Sequence, residues 1–311
     1  FLLYGIALIY GATGTTNLDR IAAAIASRPR DPLFVVGLGL VTVGFGFKIS
    51  SVPFHMWVPD VYQGAPTSVT ALIATGSKAG AFAALIRVFT VTLRGVPPDW
   101  AALFWVIAAV TMTVGNVVAL AQSNLKRMLA YSSIAHVGYM LVGLVVGGVG
   151  GASSVLFYLL TYTFTTAGAF GVITLCERAR GEAVEVDDYA GLARRHPLLA
   201  AALALFLLSL VGIPPLAGFV GKFYVFGAAV RAGYFWLAVI GVLNSAAAAY
   251  YYLRIIVYMY MREPEGAATT YASSFAGGLA LAIALLAIVL LGVMPAPFVD
   301  LAQAAVAPLL R

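Results

Sequence analysis

Residues 44–60 read GFGFKISSVPFHMWVPD. The stretch sets Lys48 and His55 on either side of Pro53, inside an apolar run that begins near residue 32. Lipid tolerates neither the charge nor the proline without a reason. An ammonium at the bilayer centre costs about 3 kcal/mol or more, and a proline deletes a backbone hydrogen bond and crowds the carbonyl four residues back. By that rule Pro53 frees the carbonyl of Ile49, next to Lys48. Such groups survive at membrane depth only where protein buries them or a wet cavity solvates them. The stretch therefore reads as a broken transmembrane helix built around a titratable group. The device recurs in GIPPLAGFVGK, 212–222, where Pro214 and Pro215 free the carbonyls of Leu210 and Val211 near Lys222.

Composition sets the same frame. Of 311 residues, 62% are hydrophobic and 10% charged, against about 25% charged in a soluble domain, and the mean hydropathy is +0.98. Apolar runs of roughly twenty residues, each long enough for a membrane helix, recur throughout. Transmembrane β-strands would instead show alternating segments of about ten residues. The net charge of +6 comes from Lys and Arg scattered at span ends, as snorkelling and topology signals are, so a nucleic-acid role is not indicated. Cys176 is the only cysteine, which excludes a disulfide framework and a cysteine-rich metal site. The chain starts at Phe1 with an apolar run of about thirteen residues, short for a span and without a basic signal-peptide region. It reads as cut within a helix, with an upstream portion expected.

One partial and eight full spans follow, near 1–13, 32–58, 66–90, 99–122, 127–148, 152–176, 197–231, 234–261 and 274–296. The fold class is an all-α polytopic membrane bundle of about nine helices, two of them broken by proline. The charged segment 177–196 is expected to hold a short surface helix. Basic residues divide almost evenly between the two sides, with a slight excess, including Lys126, Arg127, Arg194 and Arg195, on the side that is then read as cytoplasmic. The broken spans are five apart, so they run in opposite directions. Paired interrupted helices in two inverted halves are the best sequence pointer to a transport path.

Among the ionisable residues within spans, Lys48, Lys78, His136 and Lys222 stand out as candidate proton sites. A lysine whose charge state answers to burial and to neighbouring charge suits the passing of protons. Gly76, Ser77 and Gly80 around Lys78 let a helix or water approach. Ser51 and His55 fall three and seven residues after Lys48, on the same nominal helical face. His136 shares a face with Ser132 and Tyr139; a structural hydrogen bond and a proton relay are both open for it. His55 and Asp60 read as caps or loop contacts at the break, and Arg87, Arg231 and Arg254 as interfacial anchors. Lys126 marks a span end or a proton entrance. There is no P-loop, dinucleotide fingerprint, or cysteine or histidine cluster for iron–sulfur or haem. Any driving energy must come from partners.

Three long motifs in order, GFKISSVPFHMWVPDVYQGAP (46–66), NLKRMLAYSSIAHVGYMLVG (124–143) and GIPPLAGFVGKFYVF (212–226), resemble the antiporter-like membrane subunits of respiratory complex I. PDVYQGAP and a lysine in GKFYVF favour the N-type branch. The resemblance covers essentially the whole chain. It implies a fourteen-helix fold of two inverted five-helix repeats, with Phe1 in the sixth helix. Residues 1–90 would then end the first repeat, 99–261 form the second, and 274–296 be a C-terminal helix.

Carried over by position, Lys48 and Lys222 match the broken-helix lysines, while Lys78 and His136 match a central axis. The glutamate that pairs with the lysine at Lys48 would lie upstream of Phe1. The resemblance further implies proton translocation driven by quinone reduction elsewhere. NADH, FMN, iron–sulfur clusters and quinone would sit in other subunits of a hetero-oligomer, with M-type and K-type neighbours, in a bacterial inner membrane. A cation/proton antiporter, a membrane-bound hydrogenase or a non-pumping structural subunit are the alternatives.

Overall fold

The computed structural model describes residues 1–28, 30–92, 99–176, 184–263 and 274–310. Its elements are helices: α1 Leu2–Thr13, α2 Leu18–Ala26, α3 Pro32–Ile49, α4 Trp57–Gly64, α5 Thr67–Leu72, α6 Lys78–Thr92, α7 Asp99–Leu120, α8 Leu125–Val146, α9 Gly148–Cys176, α10 Leu192–Arg195, α11 Pro197–Val211, α12 Ala217–Arg231, α13 Phe235–Met261, α14 Phe275–Val293 and α15 Ala296–Val306. Seven membrane-length apolar helices occur among the described residues. The expected partial span is α1, and 197–231 divides into α11 and α12 at Gly212.

Helix α8 is the axis of the bundle. Nearly every residue from Leu125 to Val145 is buried, whereas α14 buries only Leu281, Ala284, Ile288 and Leu291. A helix apolar all round and buried all round belongs to a core, so polar side chains on α8 must find protein partners. Asn124 caps its start by accepting from the Arg127 amide at 3.0 Å. Close approach on both sides depends on small residues. A Cβ at Gly115 would stand 2.6 Å from the Ala135 backbone, and one at Gly138 would stand 2.6 Å from that of Met112.

Both interrupted helices end in a Schellman motif, in which two amides past the helix reach back to its last turn. At the first break Ser51 N–H donates to the Gly46 carbonyl (2.8 Å) and Ser50 N–H to that of Phe47 (3.2 Å), with Ser50 at φ 72°. At the second, Ile213 N–H donates to Leu208 O (3.1 Å) and Gly212 N–H to Ser209 O (3.0 Å), with Gly212 at φ 93°. α3 thus stops four residues before Pro53 (49 to 53). The break is set by the left-handed Ser50, and the idea of a proline clash with Ile49 is corrected. Because the helix does not continue, Ser51 and His55 do not share a face with Lys48. His55 is half-buried in the turn, where its carbonyl accepts from Val58 N–H at 3.0 Å.

Three further features were not read from the sequence. The segment 14–31 contains the amphipathic α2, started by an Asn17 cap. The chain ends in α15 and a short 3₁₀ turn. A π-helical turn, Ile73–Ser77, runs directly into Lys78. The described part of 177–196 holds a 3₁₀ turn, Val186–Tyr189, and α10; residues 177–183 lie outside the described residues.

Candidate functional site

Three of the expected ionisable residues converge on α8; Lys48 does not join them. Lys78 is 2% exposed and Lys222 6%, while Lys48 is exposed. Lys78 follows the π turn, which re-aims side chains and often marks functional sites. Its ammonium donates to the Ser133 carbonyl at 3.2 Å and to the Ser133 hydroxyl. The Ser133 hydroxyl also meets the hydroxyls of Tyr162 (2.7 Å) and Tyr62 (3.3 Å).

One turn along α8, His136 stands between two tyrosines, with Nδ1 2.8 Å from the Tyr158 hydroxyl and Nε2 3.2 Å from that of Tyr252. A neutral imidazole donates from one nitrogen and accepts at the other, so one tyrosine gives and the other receives. The Tyr252 hydroxyl also bonds Ser132, and the Tyr139 ring lies edge-on to His136 at 5.5 Å and 87°. Beside His136 and Tyr162, facing the second break, lies a cavity of about 10 Å³, lined also by Tyr158, Thr165 and Ser209. That volume holds about one water molecule.

Lys222 occupies the other end. Its Nζ donates to Leu210 O (2.9 Å), Val211 O (2.8 Å) and Ser245 Oγ (2.6 Å), which uses all three ammonium protons. The accepting carbonyls are those the double proline was read to free, but α11 ends at the Gly212 cap before either proline, so here too the cap and not a proline clash opens them. The ammonium also lies 5.1 Å from the Tyr139 ring centre, within cation–π range. Gly218 lets α12 come this close, since a Cβ there would fall 1.8 Å from the Ser209 carbonyl oxygen. Among the described residues no carboxylate lies within ion-pair distance of Lys78 or Lys222. Unpaired ammonium groups at membrane depth are expensive and functional by default.

An amide links His136's surroundings to Lys222. Asn116 on α7 donates through Nδ2 to the Tyr139 hydroxyl (3.0 Å) and to Met112 O (2.8 Å), and its Oδ1 accepts from Tyr251 (2.9 Å). Tyr251 packs on Tyr252 with ring centres 4.4 Å apart. Hydrogen bonds thus join Lys78, Ser133 and Tyr162 at one end, a ring contact of 5.3 Å leads from Tyr162 to His136, and the contacts continue through Tyr252, Tyr251, Asn116 and Tyr139, whose ring faces Lys222. Sequence reading named Ser132 and Tyr139 but missed Tyr62, Tyr158, Tyr162, Tyr251, Tyr252, Asn116, Ser133 and Ser245. The available signal was polar side chains at mid-span depth on α7, α9 and α13, where lipid would have favoured apolar ones.

The remaining candidates are peripheral. Lys126 is fully buried at the start of α8, with Nζ 2.8 Å from Ala65 O. Asp60 pairs with Arg127 at 2.6 Å, tying α4 to α8. Arg254, read as an anchor, instead donates to Leu120 O (3.4 Å) and Gln122 O past the end of α7. Cations favour that helix end. Among the described residues no group of three His, Cys, Asp or Glu could hold a metal.

Comparison with known proteins agrees with this architecture. Residues 1–247 match the family model described as NADH:quinone oxidoreductase/Mrp antiporter, TM. The chain is 50% identical to NADH-quinone oxidoreductase subunit N of Trichlorobacter lovleyi, covering 98% of this chain and 63% of that protein. It is 46% identical to the subunit N of Mycobacterium tuberculosis, covering 100% and 59%. Among solved structures, a chain of Thermus thermophilus respiratory complex I superposes with TM-score 0.81 at 41% identity, covering 96% of this chain and 64% of that one. A chain of an archaeal membrane-bound sulfane sulfur reductase gives 0.90 at 29%, covering 100% and 63%. The chain thus spans somewhat less than two thirds of the length of the relatives it matches. It belongs to the NADH:quinone oxidoreductase/Mrp antiporter family of membrane subunits.

Proposed function

We propose that this chain is part of the N-type proton-translocating membrane subunit of an NADH:quinone oxidoreductase, with Lys78, His136 and Lys222 as its relay. The observation that carries the reading is the set of buried hydroxyl, imidazole and ammonium groups along α8, with a lysine at each end that has no acidic partner among the described residues. Hydroxyls both donate and accept, so Ser133 and Tyr162 can carry a proton from Lys78 toward the small cavity. His136 passes it by exchanging tautomers between Tyr158 and Tyr252. Asn116 cannot relay protons as a hydroxyl can; its fixed donors and acceptor orient Tyr139 and Tyr251 beside Lys222. Loading one lysine alters the other sites through charge interaction, which moves protons stepwise.

On this reading quinone reduction in partner subunits supplies the energy. NADH, FMN, iron–sulfur clusters and quinone belong to those partners. The assembly is a hetero-oligomer in a bacterial inner membrane, with M-type and K-type neighbours. Lys48 is proposed to serve a separate half-channel with a carboxylate outside 1–311. The inverted-repeat boundaries at 1–90 and 99–261 are part of the same proposal. An antiporter reading is favoured by one observation, the TM-score of 0.88 to a chain of the Mrp complex of Dietzia. Its 26% identity against 50% to a subunit N places it second.

The test is Lys222→Arg in the full-length subunit within its complex. Arginine keeps the charge and the donors but does not release a proton. NADH-driven proton uptake into vesicles should fall about ten-fold or more, a barrier increase of roughly 1.4 kcal/mol or more, while the complex still assembles. Wild-type uptake in the variant would overturn the proposal.

A further inference from the structure

A cavity opens beside the Lys222 end of the buried line. A groove of about 810 Å³ runs between α12 and α13, with Lys222 and Ser245 at its inner end and Phe223, Val242 and Ala246 along its walls. The size falls within the ~300–1,000 Å³ of small-molecule sites, and the walls are almost wholly hydrocarbon. Lys222 and Ser245 satisfy one another at 2.6 Å, so the polar group left to meet a ligand is Arg231. It stands in the last turn of α12 and is exposed. Its guanidinium folds back over Gly227, where an added Cβ would stand 3.4 Å from Nη1. Among the described residues no carboxylate lies within ion-pair distance of it. Phe235 and Trp236, 54% and 71% exposed, follow at the start of α13. Arginine beside exposed aromatic rings is the signature of the membrane–water interface.

We propose that this groove binds an anionic phospholipid, with its phosphate on Arg231 and one acyl chain laid along α12 over Lys222. The charge is complementary, because a guanidinium fork matches phosphate oxygens. So is the length. Nine residues of helix separate Arg231 from Lys222, about 14 Å at 1.5 Å per residue. That is close to the ~15 Å depth of one leaflet, half of a ~30 Å hydrocarbon core. A bound chain would exclude water from the lateral side of Lys222. Only this consequence rests on the proposed relay; the binding site does not.

The test uses the complex holding the full-length subunit, reconstituted into vesicles of phosphatidylglycerol that carries a diazirine near the chain end. Matched vesicles contain phosphatidylcholine with the same label. Irradiation should mark peptides covering 219–230 and 242–249 from the phosphatidylglycerol vesicles. Labelling should fall about ten-fold in Arg231→Gln, as loss of a charge-assisted hydrogen bond implies. Ala246→Phe, which fills an exposed part of the groove, should abolish it. Equal labelling by both lipids and by both variants means bulk lipid contact and overturns the site. So does an unlabelled groove that cross-links instead to a neighbouring subunit. Labelling does not require turnover, so failure here and failure of the proton relay are read separately.

Discussion

The first and second helix breaks close the same backbone motif yet give their lysines opposite fates. Both contain a cis X–Pro peptide and a left-handed cap residue. At the first break the last-turn carbonyls of α3 are answered by the Ser50 and Ser51 amides and by the Trp57 indole, which donates to Phe47 O at 2.9 Å. Lys48 remains exposed. At the second, the Leu210 and Val211 carbonyls are answered by Lys222 itself. Side-chain direction explains the difference. Helical side chains lean toward the N-terminus of their own helix. Lys48, in the last turn of α3, leans away from the carbonyls that open at its break. Lys222, in the second turn of α12, leans toward the open end of α11. Here the lysine after the break caps it, and the lysine before it stays exposed.

The sharpest way to break this comparison is steric. A Cβ at Gly218 would meet a backbone oxygen, Ser209 O, at 1.8 Å, whereas one at Gly46 would meet the Phe54 ring at 2.7 Å. A ring can swing aside and a helix backbone cannot. Gly218→Ala should cost about 3 kcal/mol and Gly46→Ala about 1 kcal/mol, the two ends of the overpacking range. Thermal unfolding of the detergent-solubilised complex measures both. Equal losses would show that the second break is not the tighter one.

How much of this was legible follows the same physics. Apolar runs, prolines and mid-span lysines are local signals, so the bundle and both breaks could be placed from the sequence. The prolines are the visible breakers at both sites, and at the first the left-handed cap is Ser50, a residue type that does not signal such a cap. Glycine at 212 carries the cap signal openly. Lys78, His136 and Lys222 were found as charges in oil. Their hydroxyl and amide partners were not, because Tyr158, Tyr251 and Asn116 join them only through contacts between α7, α8, α9 and α13. Nothing along one helix announces such a contact. The π turn before Lys78 was not read either, although Thr75, Gly76 and Ser77 are weak helix formers.

A second test removes the partner that the Lys48 side lacks. Ser245→Ala deletes the hydroxyl 2.6 Å from Lys222 Nζ and leaves one ammonium proton without an acceptor. Hydrogen bonds to charged groups are worth about 1.5–3 kcal/mol, so a loss near 2 kcal/mol is expected in the same unfolding assay. Ser245→Thr keeps a hydroxyl and should recover most of it. A loss in Ser245→Ala well below 1 kcal/mol would mean that the two carbonyls alone seat the ammonium.

The smallest effect is the most direct comparison of the caps. Left-handed backbone costs a side-chain-bearing residue roughly 1–2 kcal/mol relative to glycine. Ser50, at φ 72°, carries that strain, and its buried hydroxyl has no hydrogen-bond partner. Ser50→Gly should therefore stabilise the first break by about 1 kcal/mol, the strain relieved less the backbone entropy that glycine adds. Gly212→Ala should destabilise the second by a similar amount. An added Cβ there would also stand 3.0 Å from Lys222 Cδ, so the lysine side chain must give by a few tenths of an ångström and its three ammonium bonds are perturbed. Only the second substitution should then lower proton uptake as well as stability. If both change stability alone, the cap at Gly212 serves the fold without serving the lysine.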